Sequence, residues 1–118
     1  LHFPGVRQQD RRADAVKLYR ELAADVRSKE GSAAAYYVLE DTFEKGDMDK
    51  TEKAIFAYSE REPQAYWLAK AFILLGDVYV RKGDNFQARA TYQSVADGYS
   101  PADDGIVDEA KERIAKLN

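Results

Sequence analysis

The 118-residue sequence contains no cysteine and one histidine, His2. Without cysteine it offers no disulfide, no zinc–thiolate site and no thiol nucleophile. His2 stands near the start of the chain, where termini fray, so we expect it to form neither a Ser–His–Asp triad nor a histidine-rich metal site. We therefore predict no catalytic residue, no metal and no cofactor.

The sequence also lacks a long hydrophobic run and an excess of charge of one sign. No stretch approaches the ~20 apolar residues of a membrane span. The 18 basic and 21 acidic residues are interleaved and give a net charge of −3, so no basic face is available for nucleic acid. We expect neither membrane insertion nor nucleic-acid binding. Because the chain starts at Leu1 without an initiator Met, we expect a fragment of a longer protein.

What the sequence does contain is helical periodicity, with apolar residues at steps of three and four and no strand-like alternation. Glycine and proline separate six stretches, which we predict as helices over 10–27, 32–45, 48–61, 64–82, 84–97 and 102–118. Gly31 is predicted to end one helical stretch and Ser32 to cap the next. The first helix is predicted to bury one apolar face, formed by Ala15, Leu18, Tyr19, Leu22 and Val26.

The stretch 64–82 differs from the others because its apolar residues surround the whole helix. Such a helix must be covered on several sides, so we predict that it lies in the middle of the molecule. Trp67, near its start, is predicted to pack against the preceding hairpin. Tyr36 and Tyr37 are adjacent and point about 100° apart on a helix, so only one of them can join the core fully.

An internal repeat links the second half of the chain to the first. Two Gly-Asp pairs, at 46–47 and 83–84, lie 37 residues apart, and the helices that flank them align at the same offset. A helix-hairpin repeat explains this register. The aligned pairs are Ala35 and Phe72, Val38 and Leu75, Thr42 and Tyr79, Thr51 and Ala88, Ile55 and Tyr92, and Tyr58 and Val95.

These residues resemble the tetratricopeptide repeat (TPR), whose pattern is matched by Phe72, Leu75, Gly76, Tyr79, Ala88, Tyr92 and Pro101. The preceding repeat is degenerate, with Leu39 at the small glycine position. The resemblance implies an all-α fold of antiparallel helix hairpins stacked as a right-handed superhelix. It divides the single domain 1–118 into a second helix of a partial repeat (10–27), a degenerate repeat (32–63), a well-matched repeat (64–101) and a C-terminal capping helix (102–118).

The resemblance also implies where a partner binds and in which compartment. Repeat length and the Gly-Asp turn are similar to those of bacterial cell-envelope TPR proteins, which favours the periplasm. In the family, the first helix of each hairpin lines a concave groove that holds a protein or peptide partner. The corresponding residues here are Ala33, Tyr36, Glu40, Phe43, Glu44, Lys70, Ile73, Asp77, Val80 and Arg81.

Glu40 and Asp77 occupy positions where the carboxylate-clamping subgroup has asparagine, so the resemblance does not imply a carboxylate clamp. An aromatic and acidic groove fits an extended or helical segment, including one with basic residues. The leading hypothesis is a non-enzymatic interaction scaffold. The alternative is a structural spacer or self-association module, hence a homo-oligomer, within a longer superhelix.

An enzyme that uses Glu40 and Glu44, spaced i,i+4, as a carboxylate pair is the third hypothesis. It requires that both face a deep pocket with another acid opposite. A solvated helix face or a groove rim is the simpler interpretation of the same pair.

Overall fold

The computed structural model describes residues 6–117, with side chains from 11 onward, and His2 lies outside this part. The described residues form helices and no strand, which confirms the all-α prediction. The helices are α1 (Val6–Leu22), α2 (Lys29–Glu44), α3 (Met48–Ser59), α4 (Ala65–Arg81), α5 (Asn85–Gly98) and α6 (Ile106–Ala115), and a short 3-10 helix, Ala23–Asp25, follows α1.

The two Gly-Asp turns have the same geometry, as the repeat predicts. Gly46 and Gly83 adopt φ values of 91° and 80°, which side chains disfavour. Asp47 and Asp84 then cap α3 and α5, and each accepts a 3.0 Å hydrogen bond from the backbone N–H three residues on. Positions that align in α3 and α5 are all buried, namely Thr51, Ile55 and Tyr58 with Ala88, Tyr92 and Val95.

Helices that follow one another in sequence pack together, and α2, α4 and α6 also contact one another in a row. Within residues 6–117, α1, α3 and α5 make no such contacts among themselves. Tyr36 lies beside Lys70 and Phe43 beside Arg81, so α2 and α4 run in parallel. α6 is parallel to them as well, because its residues pair with α4 in the same order along both helices. Every second helix therefore shares one face of the molecule.

The central position predicted for 64–82 is confirmed, because α4 contacts α2, α3, α5 and α6. Gly76 allows the closest of these approaches. A Cβ at this position would overlap the ring of Tyr92 on α5. The Tyr92 ring is itself fully buried, so the glycine and the tyrosine together set the distance between α4 and α5.

The start of α2 differs from the prediction. Ser28, not Ser32, caps this helix, and its Oγ accepts a 2.9 Å hydrogen bond from the N–H of Gly31. Gly31 does not end a helix but lies in the first turn of α2, where a Cβ would overlap the backbone carbonyl oxygen of Asp25. Its role is to let the 3-10 helix approach α2 closely.

The predicted core face of α1 is wrong at two positions. Leu18 and Leu22 are 59% and 54% exposed. The cause is that, within residues 6–117, α2 is the one α-helix that α1 contacts, so only one narrow side of α1 is covered. On that side Tyr19 is partly buried. After α1, Val26 is buried in the core.

Candidate functional site

The face shared by α2, α4 and α6, called the groove below, carries most of the residues predicted to bind a partner. Tyr36 and Ile73 are buried beneath its surface, at 6% and 2% exposure. Glu44 is turned towards α1, where it pairs with Arg12. Glu40, Phe43, Lys70, Asp77 and Arg81 are accessible at least in part.

Sequence analysis missed the contribution of α6. Glu109, Arg113 and Lys116 of this helix face α4 or the pocket beside it. Their charged side, spaced at three and four residues, was visible as a pattern. The pattern gave no indication of which helix this charged side of α6 would contact.

One end of the groove, called the aromatic end, is a continuous group of five rings from three helices. Their centroids are 5.1 to 5.9 Å apart, within the range of favourable ring pairs. Tyr36 is buried while Tyr37 is 38% exposed, which confirms that only one of the two joins the core. Trp67 contacts both of these α2 rings, as its predicted packing requires. The members are Tyr19 of α1, Tyr36 and Tyr37 of α2, and Tyr66 and Trp67 of α4.

The middle of the groove is polar and internally bonded. The Nζ of Lys70 lies 5.8 Å from the centroid of the Tyr36 ring and 3.4 Å from Oε1 of Glu109. The Tyr36 hydroxyl donates a 3.2 Å hydrogen bond to Oε2 of Glu40. Burial, and then the negative charge of Glu40, raise the pKa of Tyr36 well above its usual value. The hydroxyl therefore stays protonated and acts as a donor.

Asp77 ties three helices together. It accepts a hydrogen bond from the Tyr92 hydroxyl of α5, and bonds of 3.1 and 3.4 Å from Nε and Nη2 of Arg113 on α6. The Nη1 of Arg113 lies 3.3 Å from Glu109. Burial and the Asp77 carboxylate both raise the pKa of Tyr92. The carboxylate of Asp77 is thus engaged in holding α6 against α4.

The other end of the groove, called the cationic end, is a pocket of about 350 Å³. The guanidinium carbon of Arg81 lies 4.5 Å from the centroid of the Phe43 ring, a cation–π distance. Arg81 has no carboxylate partner among the described residues. The pocket is lined by Phe43, Asp77, Val80, Arg81, Tyr92, Arg113, Lys116 and Leu117.

The carboxylate pair proposed for catalysis lies outside these two ends. Glu40 and Glu44 line a pocket of about 290 Å³ with Asp41, and all three acids come from α2. The wall opposite, from α1, supplies Arg12, Val16 and Tyr19. Among residues 11–117, no acid lines the pocket across from the pair, so these residues do not meet the condition set for carboxylate chemistry.

Asp41 is the buried carboxylate of this region, at 3% exposure. It lies 3.0 Å from Nε of Arg12 and 2.9 Å from Nζ of Lys45. Burial acts to raise the pKa of Asp41, but hydrogen bonds from Lys45 and Arg12 together outweigh burial and lower it. This charge cluster therefore joins α1 to α2.

Comparison of the chain with protein-family models, curated proteins and solved structures gave no significant match. Over residues 6–117, acidic side chains do not converge in any group that could hold a metal ion. No described helix has both the length and the hydrophobicity needed to cross a bilayer. The function is therefore argued from the groove itself.

Proposed function

We propose that this protein is a non-enzymatic, TPR-like module that holds a peptide or protein segment in the groove. In this proposal α2 with α3, and α4 with α5, are stacked hairpins, α1 belongs to a preceding partial repeat and α6 closes the array. The pattern of helix contacts supports it, since one helix of each hairpin lies in the row and its partner lies outside. Such a row gives a repeat array one continuous binding surface.

The observation that carries the proposal is the position of the groove's exposed side chains. Partly exposed rings at one end, Tyr37 and Trp67, and Arg81 over Phe43 at the other end lie on the same pair of helices. Rigid aromatics and arginine are the residue types that dominate binding energy at protein interfaces. Parallel helices that present both types along one face suit a segment laid across them.

Interactions with neighbouring side chains support the absence of catalysis. Asp41 and Asp77 accept hydrogen bonds from arginine, and Glu40 accepts one from Tyr36. A general acid or base needs a pKa moved towards neutrality and access to substrate. The pKa of Asp41, the buried carboxylate of α2, is lowered instead.

Affinity capture with a matched pair of phenylalanine variants tests the proposal. Phe43 lies in the groove, whereas Phe86, on α5, is 84% exposed and outside it. Immobilised wild type and Phe86→Ala are expected to retain the same proteins from cells of the source organism, and Phe43→Ala is expected to lose them. Far-UV circular dichroism checks that the variants are folded. Equal capture by all three proteins would contradict binding in the groove.

The exposed Leu18 and Leu22 on α1 favour a second candidate function, self-association within a longer superhelix. Two neighbouring leucines one turn apart form an apolar contact surface that α2 does not cover. Sedimentation velocity over a hundredfold range of concentration tests it. Association that disappears in the double variant Leu18→Glu with Leu22→Glu supports this function, and a monomer at every concentration removes it.

A further inference from the structure

Two of the cations in the groove are matched by carboxylates, whereas one at its cationic end is not. Lys70 and Arg113 are matched by Glu109 and Asp77, at distances of 3.1 to 3.4 Å. Arg81 adds a positive charge with no carboxylate partner among residues 11–117. Lys116 has one partner, Glu112, at 3.4 Å.

We propose that the cationic end binds an acidic side chain of the partner segment, with an apolar side chain next to it. This inference rests on the proposed function and names the chemistry of the segment that the groove holds. It reverses the charge of the partner expected from sequence alone. Among the acids that suggested a basic partner, Asp77 is paired with Arg113 and Glu44 with Arg12. Glu40 accepts a hydrogen bond from the Tyr36 hydroxyl.

Arg81 is the group that would meet the acid. Its guanidinium carbon lies 4.5 Å from the centroid of the Phe43 ring. No carboxylate among residues 11–117 pairs with it, so its N–H donors can form a fork around a ligand carboxylate. Arg113 cannot fill this role, since it already contacts both oxygens of Asp77 and one of Glu109.

Lys116 is the second group, because its pairing is weak. Lys116 and Glu112 are 69% and 66% exposed along their side chains, and such surface pairs contribute little. Lys116 therefore exchanges Glu112 for a ligand carboxylate at small cost. Lys116 lines the same pocket as Arg81.

The walls of the pocket account for the apolar neighbour. Phe43, Val80 and Leu117 line it beside the cations, and Val80 is 40% exposed although it is aliphatic. A volume of about 350 Å³ lies at the low end of the range for ligand pockets. It suits two neighbouring side chains of a peptide, one acidic and one apolar.

A titration followed by NMR tests this inference with defined peptides. The acidic probe is acetyl-Glu-Leu-Glu-Phe-amide, and its neutral counterpart has Gln in place of Glu. The acidic probe is expected to shift the backbone amide signals of Val80, Arg81 and Leu117 and to bind at least about fivefold more tightly than the neutral probe. A third probe, acetyl-Gln-Leu-Gln-Phe with a free C-terminus, shows whether a terminal carboxylate serves instead, and stronger binding by it would overturn the assignment to a side chain.

Variants localise the effect. The double variant Arg81→Gln with Lys116→Gln is expected to bind the acidic probe no better than the neutral one. Lys111→Gln removes the same kind of charge from the exposed side of α6 and is expected to leave binding unchanged. Both variants change exposed residues, and circular dichroism verifies that they are folded.

Three results would overturn the inference. They are equal binding of the acidic and neutral probes, signal changes confined to Tyr37 and Trp67, and no change at millimolar peptide. Changes at the aromatic end alone would still agree with binding in the groove, because Tyr37 and Trp67 belong to it. The two proposals can therefore fail separately.

Discussion

The aromatic end and the cationic end of the groove share α2 and α4 but are held together by different interactions. At the aromatic end, rings pack on rings, and Trp67 contacts three of them. At the cationic end, an ion pair between Arg113 and Asp77 joins α6 to α4. The rings of the aromatic end are buried against one another and therefore stabilise the fold. The charges of Arg81 and Lys116 are not needed to hold helices together, so they are available to a partner.

The largest expected effect is at the aromatic end. Trp67→Ala removes a ring that joins α2 to α4, and we expect it to lower the free energy of unfolding by about 2–3 kcal/mol, below the full cost for a buried tryptophan because Trp67 is only partly buried. Urea denaturation measures it. Tyr66→Ala, which removes a more exposed ring in contact with Trp67, serves as the control and should cost clearly less. Equal losses would show that the five rings are surface contacts.

A somewhat smaller loss is expected where α5 meets α4. Gly76→Ala inserts a methyl group into the Tyr92 ring and should cost about 1–3 kcal/mol, since overpacking outweighs the gain in helix propensity. Gly98→Ala, at a position where no atom lies within 4 Å of the added Cβ, should be neutral or slightly stabilising. Thermal unfolding compares the two. If Gly76→Ala is as stable as Gly98→Ala, Tyr92 moves freely and does not fix the position of Asp77.

The contact between α1 and α2 contains both a ring contact and an ion pair, between Arg12 and Asp41. Lowering the pH is expected to weaken the ion pair alone. The pKa of Asp41 is lowered in the fold, so its stabilising contribution is complete above its unfolded pKa of about 3.9 and is lost as the pH falls below that value. Asp41→Asn should therefore be less stable than wild type at pH 7 and lose less stability between about pH 5 and pH 2.5. The ring contact of Tyr19 with Tyr37 should not change over this pH range.

Urea denaturation across this pH range measures both proteins. The control is Asp103→Asn, which changes an exposed aspartate in the loop before α6 and should keep the wild-type profile. A wild-type pH profile for Asp41→Asn would show that the charge cluster does not hold α1 on α2.

The sequence predicts those parts of the fold that depend on local residue patterns and on the internal repeat. The two Gly-Asp turns and the apolar steps around them are readable along the chain, and the all-round apolar stretch indicated that α4 is central. The exposure of Leu18 and Leu22 was not readable in this way, because an apolar helix face shows what can be buried and not whether a neighbour exists. The cap of α2 was predicted at Ser32, but Ser28 lies in extended geometry before the helix and its Oγ accepts from the N–H of Gly31.

The site was predictable in its residue types but not in its pairing. Glu40 and Asp77 made the groove acidic on sequence grounds. The partners that change this picture are distant in sequence, since Arg113 follows Asp77 by 36 residues and Glu109 follows Lys70 by 39. Such pairs depend on how α6 is placed against α4, which periodicity does not specify.

Arg81→Gln is expected to have the smallest effect on stability. The size of this effect shows whether the cationic end contributes to stability as the aromatic end does. Arg81→Gln removes one exposed cation–π contact, so we expect a loss of about 0.5 kcal/mol or less. The neighbouring Lys82 is the matched control, because its Nζ bridges Asp49 at 2.6 Å and Glu52 at 2.8 Å on α3. Lys82→Gln should therefore destabilise more in the same urea experiment. If Arg81→Gln were the more damaging change, Arg81 would be part of the structural framework, and the cationic end would have no charge available for a partner.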